Sequence, residues 1–319
     1  MDVGQTSGSV GARAVAGEQP QAGLLDLPGV LLKAIRPRQW TKNLLCVAAL
    51  VMANKLRSSD ADVRMIACVL LFCGLSSVVY LINDSLDVQR DRLHPTKRLR
   101  PIASGRLSVH TAVTAAVVIG VVSLALCLLL GLPFFEMSLA YMVLQFGYVF
   151  YLKHEVLLDV FAIALGYVVR AAAGAVAIGV EISVWLYLCT ILGGLFLALG
   201  KRRQELIELE DLAADHRRNL GEYSLALVDQ LITIITASTI VAYSLYTFTA
   251  PNLQHDNNIM MLTIPFAMYG IFRYLYLVHQ RGLGANPEEV LLKDRPLQVC
   301  IILWGAIAVA VVGGLGHVA

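Results

Sequence analysis

The sequence predicts an all-α, polytopic membrane protein, a bundle of nine transmembrane helices. Three observations lead there: an apolar composition, a series of apolar runs of membrane-spanning length, and Lys and Arg gathered in alternate loops. Of 319 residues, 57% are apolar and only 15% are charged, and the mean hydropathy is +0.69. Soluble domains hold roughly 45–50% apolar and about 25% charged residues, so both values deviate towards the bilayer. The same values exclude intrinsic disorder for most of the chain. A formal net charge of +2 is too small for a nucleic-acid binder. The six cysteines lie in apolar runs with no C-x-x-C pair, which argues against both a disulfide framework and a zinc site.

Residues 1–28, rich in Gly, Ala, Ser and Gln, lack the basic start and apolar centre of a signal peptide. They are expected to form a disordered tail, leaving 29–319 as one transmembrane domain. A helix needs roughly 20 apolar residues to cross about 30 Å of hydrocarbon. Runs that meet or approach this are expected to span at 43–56, 63–83, 108–130, 133–151, 156–178, 182–200, 225–248, 258–279 and 297–315. The first is the shortest, because Asn54 and Lys55 close it early. Backbone polar groups in lipid must be satisfied internally, which makes these runs helices. None alternates in polarity as barrel strands do.

The cations set the orientation. Arg13, Lys33, Arg36, Arg38 and Lys42 precede the first span, and Arg90, Arg92, Lys97, Arg98, Arg100 and Arg106 fill the second–third loop. Lys153 lies in the fourth–fifth loop, Lys201, Arg202, Arg203, Arg217 and Arg218 in the sixth–seventh, and Arg281, Lys293 and Arg295 in the eighth–ninth. The opposite side holds Lys55, Arg57 and Arg64. By the positive-inside rule the N-terminus is cytoplasmic and the C-terminus lies outside the inner (cytoplasmic) membrane. The outer turns, such as GLP at 131–133, are too short to hold a site, so chemistry is expected at the cytoplasmic face.

The strongest local signal is Asn83-Asp84-Ser85-Leu86-Asp87-Val88-Gln89-Arg90-Asp91, closing the second span. If the helix continues, Asp84, Asp87 and Asp91 share one face. Three neighbouring carboxylates repel one another unless cations neutralise them. An all-oxygen set that includes Asn83 suits Mg²⁺, which commonly binds through one or two carboxylates plus phosphate oxygens. Acids at such a depth are functional by default. Downstream, His94-Pro95-Thr96-Lys97-Arg98-Leu99-Arg100 brings cations beside the acids, able to hold phosphates or simply to set topology.

N-D-x-x-D-x-x-x-D followed by R-P-I-x-S-G at 100–105 resembles the UbiA superfamily of intramembrane prenyltransferases, over about residues 30–319. The resemblance implies a nine-helix bundle with a cytoplasm-facing active-site cavity. It also implies Mg²⁺ and a donor diphosphate held by Asn83, Asp84, Asp87 and Asp91, with Asp84 and Asp87 catalytic. Where the family has a second aspartate motif, this chain reads Gly200-Lys201-Arg202-Arg203-Gln204-Glu205-Leu206. Glu205 is the one carboxylate left there for metal, and three consecutive cations suit an additional anion. A basic juxtamembrane collar has the same look.

Further stretches resemble one branch of the superfamily: Arg36-Pro37-Arg38-Gln39-Trp40-Thr41-Lys42-Asn43, Lys153-His154, Arg170-Ala171-Ala172-Ala173-Gly174, Pro287-Glu288-Glu289 and Asp294-Arg295-Pro296-Leu297. That branch moves 5-phosphoribose from phosphoribosyl pyrophosphate (PRPP) to a polyprenyl phosphate and releases pyrophosphate. The resemblance implies Lys42, Lys97, Arg98, Arg100, Tyr148, Lys153, Arg170, Lys201 and Arg202 as substrate-binding residues. Whether the chain forms a homo-oligomer stays open. The runner-up is prenyl transfer to an aromatic or lipid acceptor; a secondary transporter fits less well, since the acids cluster at one face.

Several polar residues carry structural expectations too. Arg170, deep in the fifth span, faces either a substrate phosphate or Glu136, Glu181 or a backbone carbonyl, since a charge there costs about 2.5–3.5 kcal/mol or more. Asp159 is the expected partner of Lys153. Arg273 and Tyr148 are expected near the membrane interface.

Overall fold

The computed structural model is helical throughout its ordered elements. It describes residues 23, 26–52, 58–94, 96–182, 184–210, 222–249, 259–283, 290 and 293–312. Most of the expected tail, the close of the first expected span at Asn54 and Lys55, Pro95, the loop over 211–221 and Pro287-Glu288-Glu289 lie outside the described residues.

Helix α1 (Leu27–Ala34) carries Pro28 in its first turn, where a missing N–H leaves no bond unmade. A 3₁₀ segment, Pro37–Val47, follows and leads into α2 (Ala48–Met52). The first expected span is therefore not one continuous α-helix. Runs of 3₁₀ helix rarely exceed three or four residues, and side-chain bonds hold this one. Trp40 Nε1 donates to Ser77 Oγ at 3.1 Å, and the Asn43 amide donates to Ser76 Oγ at 3.2 Å.

Helix α3 (Ser59–Leu86) is capped by Ser58, whose hydroxyl accepts from the Ala61 N–H, with Asp60 and Asp62 in its first turn. Both features favour a helix N-terminus. The short α4 (Val88–Leu93) continues beyond Asp87. Helix α5 (Val109–Cys127) is capped by Ser108, and α6 (Leu132–Phe150) starts on Gly131 and Pro133. Then come α7 (Leu158–Ala177), α8 (Val184–Glu210), α9 (Leu225–Thr249), α10 (Ile264–Arg281) and α11 (Arg295–Val312).

Among the described residues, six segments are long and apolar enough to cross a membrane: Ser59–Leu86, Val109–Leu130, Leu158–Ala177, Val184–Ile207, Leu225–Thr249 and Ile259–Arg281. Arg295–Val311 is a shorter apolar helix. The protein is a multi-pass membrane protein, but the expected count of nine spans is not reproduced among the described residues. The 3₁₀ segment breaks the first expected span, and α6 carries Glu136 and Gln145.

Helix α7 sits at the centre, packing against α6, α8, α3, α2 and the 3₁₀ segment. One apolar cluster joins α1, α3, α5 and α6 to its Ala173 and Ala177. A second joins α8, α9 and α10 to its Val160 and Ala164. Small residues allow this closeness: a Cβ on Gly174 would stand 2.0 Å from the Cys46 carbonyl oxygen, and one on Gly194 2.9 Å from Ala164 Cα. The radial order inverts that of a soluble domain. Val117, Val118, Val121 and Val122 of α5 are exposed, whereas Asp84, Asp159, Arg170 and Arg202 are each 5% exposed or less.

Gly174→Ala drives a methyl group into the Cys46 backbone. It is expected to cost about 1–3 kcal/mol, read as a lower Tm of the detergent-solubilised protein.

Candidate functional site

The acid motif lies where α3 gives way to α4. Asp87 leaves helical geometry (φ −88°, ψ 7°), yet the i→i+4 bonds run through: Asp87 N–H donates to Asn83 O at 2.9 Å and Asp91 N–H to Asp87 O at 2.8 Å. Asp84 and Asp91 therefore face the same way, and both are buried.

Each acid meets a cation. Arg36 Nη2 donates to both Asp84 oxygens, at 2.6 and 2.7 Å. Arg100 Nη1 bridges Asp84 (3.1 Å) and Asp91 (2.6 Å). Lys153 Nζ contacts both Asp87 oxygens at 3.1 Å and Asn83 Oδ1 at 3.4 Å. Arg36 has φ +54° before Pro37, an uncommon backbone for a residue with a side chain, and its guanidinium lies 5.1 Å from the Tyr80 ring centroid. Arg100 is aimed back by the turn after it, in which Leu107 N–H reaches Pro101 O at 2.9 Å while Ile102, Ala103 and Leu107 are buried. Burial pushes the Asp91 carboxyl above the usual carboxylate range; Arg100 opposes that shift and neighbouring Asp84 adds to it.

Lys153 thus joins the acid motif, whereas the sequence pointed to Asp159 as its partner. Asp159 instead receives Arg202 Nη2 at 2.5 Å and the Tyr223 hydroxyl at 2.7 Å. Arg202 also bonds Glu205, and its guanidinium lies 5.8 Å from the Tyr223 ring centroid. Tyr223 Oη in turn accepts the Leu157 N–H at 2.8 Å, steadying a residue at φ +65°. Of the three consecutive cations, Lys201 is exposed, Arg202 is enclosed, and Arg203 pairs with Asp229 of α9 at 2.7 Å.

Arg170 is held by neutral oxygens: Asn43 Oδ1 at 2.9 Å, Gly166 O at 2.8 Å and Tyr141 Oη at 2.7 Å. Of the partners expected for it, the backbone carbonyl is present, while Glu136 and Glu181 are not among its bonds. Arg273, expected at the interface, pairs with Asp294 at 2.8 Å, which holds the Asp294 carboxyl below the usual range. Lys42, Lys97 and Tyr148 are half-buried, and Arg98 is exposed.

Arg36, Asn43, Tyr141, Asp159 and Tyr223 were not among the site residues read from the sequence. Arg36 and Asn43 stood inside the quoted Arg36–Asn43 stretch. The two tyrosines and Asp159 carry no spacing that marks them, since these partners lie 29 to 64 residues away.

The donor set fits a hard divalent cation. All donors are oxygens, and in two places a pair of them already converges on one cationic nitrogen: Asp84 with Asp91 on Arg100, and Asn83 with Asp87 on Lys153. Among the described residues no three carboxylate, His or Cys side chains meet at one point. Mg²⁺ commonly binds through one or two protein carboxylates together with substrate phosphates. Glu205 is engaged by Arg202 and does not complete such a group.

The chain is similar to known proteins over most of its length. The model of the UbiA prenyltransferase family matches residues 43–293. The decaprenyl-phosphate phosphoribosyltransferase of Mycolicibacterium smegmatis is 36% identical over 310 residues, covering 92% of this chain and 96% of its own. That of Mycobacterium tuberculosis (strain H37Rv) is 36% identical over 290 residues, covering 90% and 94%. Among solved structures, a UbiA homolog from Archaeoglobus fulgidus bound to DMAPP and Mg²⁺ aligns with a TM-score of 0.69 at 17% identity, over 89% of this chain and 99% of that one. At that identity the likeness speaks for the fold.

Asp159→Asn leaves the enclosed Arg202 without its main counter-charge and is expected to cost about 3–5 kcal/mol. Tyr223→Phe removes only the hydroxyl bonds and is expected to cost about 1–3 kcal/mol. Thermal unfolding of both variants checks the order.

Proposed function

The chain belongs to the UbiA prenyltransferase family, and we propose that it transfers 5-phosphoribose from PRPP to a polyprenyl phosphate such as decaprenyl phosphate, releasing pyrophosphate. The observation that carries this reading is the excess of positive charge around the acids. Asp84, Asp87 and Asp91 are matched by Arg36, Arg100 and Lys153, and Arg170 has no carboxylate partner among the described residues. A prenyl diphosphate brings one anionic group, whereas PRPP adds a 5-phosphate and its acceptor a lipid phosphate. The named relatives, similar over nearly their whole length, support the same choice.

In this reading Asp84, Asp87 and Asp91, with Asn83, hold Mg²⁺ at the cytoplasmic face of a chain whose N-terminus is cytoplasmic. Bound there, Mg²⁺ supplies Lewis-acid stabilisation of the departing pyrophosphate. Arg36, Arg100 and Lys153, which now neutralise the acids, turn to the pyrophosphate oxygens as the donor binds. Arg170 lies preset at depth, its planar fork fixed by Asn43, Gly166 and Tyr141, for a phosphate reaching into the bundle. Lys42, Lys97, Arg98 and Lys201 add positive charge for the remaining anions, and Tyr148 packs beside the ribose. Arg202 and Glu205 act on each other rather than on substrate.

The C1–O bond to pyrophosphate breaks, positive charge builds on the ribosyl carbon, and a lipid phosphate oxygen bonds to C1. The acceptor is already anionic near neutral pH, so no strong general base is needed.

Purified protein with PRPP, Mg²⁺ and a polyprenyl phosphate is expected to release pyrophosphate and form a phosphoribosylated lipid detected by mass spectrometry. EDTA should stop the reaction, and Asp84→Asn or Asp87→Asn should lower kcat by about 10²-fold or more. Product from a prenyl diphosphate and an aromatic acid, with PRPP inert, overturns the reading.

A further inference from the structure

Lys153, which meets the acid motif, stands four residues before a strained point in the backbone. It belongs to the 3₁₀ turn Leu152–His154. The turn is bonded onward to α7: His154 N–H donates to Tyr151 O at 3.0 Å, Glu155 N–H to Leu152 O at 3.2 Å and Asp159 N–H to Glu155 O at 3.1 Å. Between the turn and α7 lies Leu157, at φ +65° and ψ −40°, a backbone that residues with a side chain rarely adopt. Packing does not hold it there, since Leu157 is 42% exposed. Its N–H donates instead to Tyr223 Oη at 2.8 Å, and the same hydroxyl donates to Asp159 Oδ1 at 2.7 Å. Tyr223 and Asp159 are both buried. Asp159, ion-paired with Arg202 at 2.5 Å, only accepts, so the Tyr223 proton goes to it and the oxygen is left for Leu157.

We infer that Tyr223 is a positioning residue for Lys153: by holding Leu157, its hydroxyl sets the direction in which the turn presents the ammonium group to the donor's pyrophosphate. Lys153 meets pyrophosphate in the phosphoribosyl-transfer reading, on which this assignment rests, and the role of Tyr223 goes beyond that reading. Helix packing alone does not account for the bond. The side chain of the residue it steadies is exposed, so what the bond fixes is a backbone angle. That angle lies between α7 and a turn whose Lys153 is buried and reaches three oxygens, both of Asp87 at 3.1 Å and Asn83 Oδ1 at 3.4 Å. A lysine ammonium is a point charge on a flexible stem, so its aim depends on where its backbone is rooted. A misplacement of about 1 Å is enough to cost a preorganised site about a hundredfold.

Tyr223→Phe keeps the ring and removes the hydroxyl. Calorimetric titration with inorganic pyrophosphate and Mg²⁺ is expected to show a Kd raised about tenfold at unchanged stoichiometry. In turnover, KM for PRPP is expected to rise by a similar factor, with kcat and KM for the polyprenyl phosphate within about twofold. In a Lys153→Met background the same substitution is expected to add no further loss, because Lys153 is the group it acts through. A lower stoichiometry at unchanged Kd marks a purely structural tyrosine and overturns the proposal, as does an equal loss in the two backgrounds. A wild-type arm needs no variant. Coupling is reciprocal, so pyrophosphate bound at Lys153 must tighten the Leu157 bond. Hydrogen exchange of peptides covering 155–159 is therefore expected to slow when Mg²⁺ and pyrophosphate are added, and unchanged exchange there overturns the proposal. Failure of the phosphoribosyl-transfer reading shows differently: the wild type then forms no phosphoribosyl lipid from PRPP, while Tyr223→Phe still weakens pyrophosphate binding.

Discussion

The part-buried exchange of charge among Arg36, Asp84, Arg100 and Asp91 is the constraint on which the site depends. A charge withdrawn from water needs a partner at close range, and here the partners come from three separate stretches of chain. The segment before the first 3₁₀ run supplies Arg36, the end of α3 and the start of α4 supply the acids, and the turn at 100–105 returns Arg100 over them. Shared partners make the group a network, in which one arginine holds two carboxylates at lower entropic cost than two separate pairs. The same oxygens suit a divalent cation and the same arginines suit a pyrophosphate, so the resting pairs keep the binding groups in place until substrate exchanges with them.

A second buried charge group ties the two halves of the bundle together. Arg202 of α8 is closed between Asp159 of α7 and Glu205, with the Tyr223 ring alongside. Through Leu157, Tyr223 also fixes the backbone just after Lys153, the residue that holds Asp87 and Asn83. Tyr223, just before α9, is thereby connected to the acid motif through a short chain of bonds. A basic stretch that resembles a phosphate clamp in the sequence becomes, in three dimensions, one exposed lysine beside two arginines committed to helix packing.

Much of the site was legible because its signals are local. Asp84, Asp87 and Asp91 share a face through helical spacing alone, and three acids ending a charge-free run imply cations nearby. The cations that meet them were only partly legible. Arg100 followed from its place in the motif, whereas Lys153 was assigned to Asp159 because that acid is closer in sequence. Its actual partners lie 66 and 70 residues away. Arg170 was recognisable as a buried charge, but not its neutral cradle, since Asn43 and Tyr141 sit on other elements at no diagnostic spacing. The described part of the first expected span is not one continuous α-helix for a related reason. Its composition is apolar enough for a helix, but side-chain bonds from Trp40 and Asn43 to α3 hold the backbone in a tighter 3₁₀ coil.

What the sequence by itself determined is the environment and the chemistry: an apolar helical bundle, an acid motif at one end, and an excess of Lys and Arg that suits more than one phosphate. These follow from composition and from contacts within two turns of a helix, where geometry is set by 3.6 residues per turn. Only the tertiary structure decided which cation meets which acid and which of Lys201, Arg202 and Arg203 faces outward. Those outcomes depend on how α7 packs against both halves of the bundle. That packing is set by Gly174 and Gly194, whose missing side chains let two backbones approach where spacing along the chain carries no sign of it.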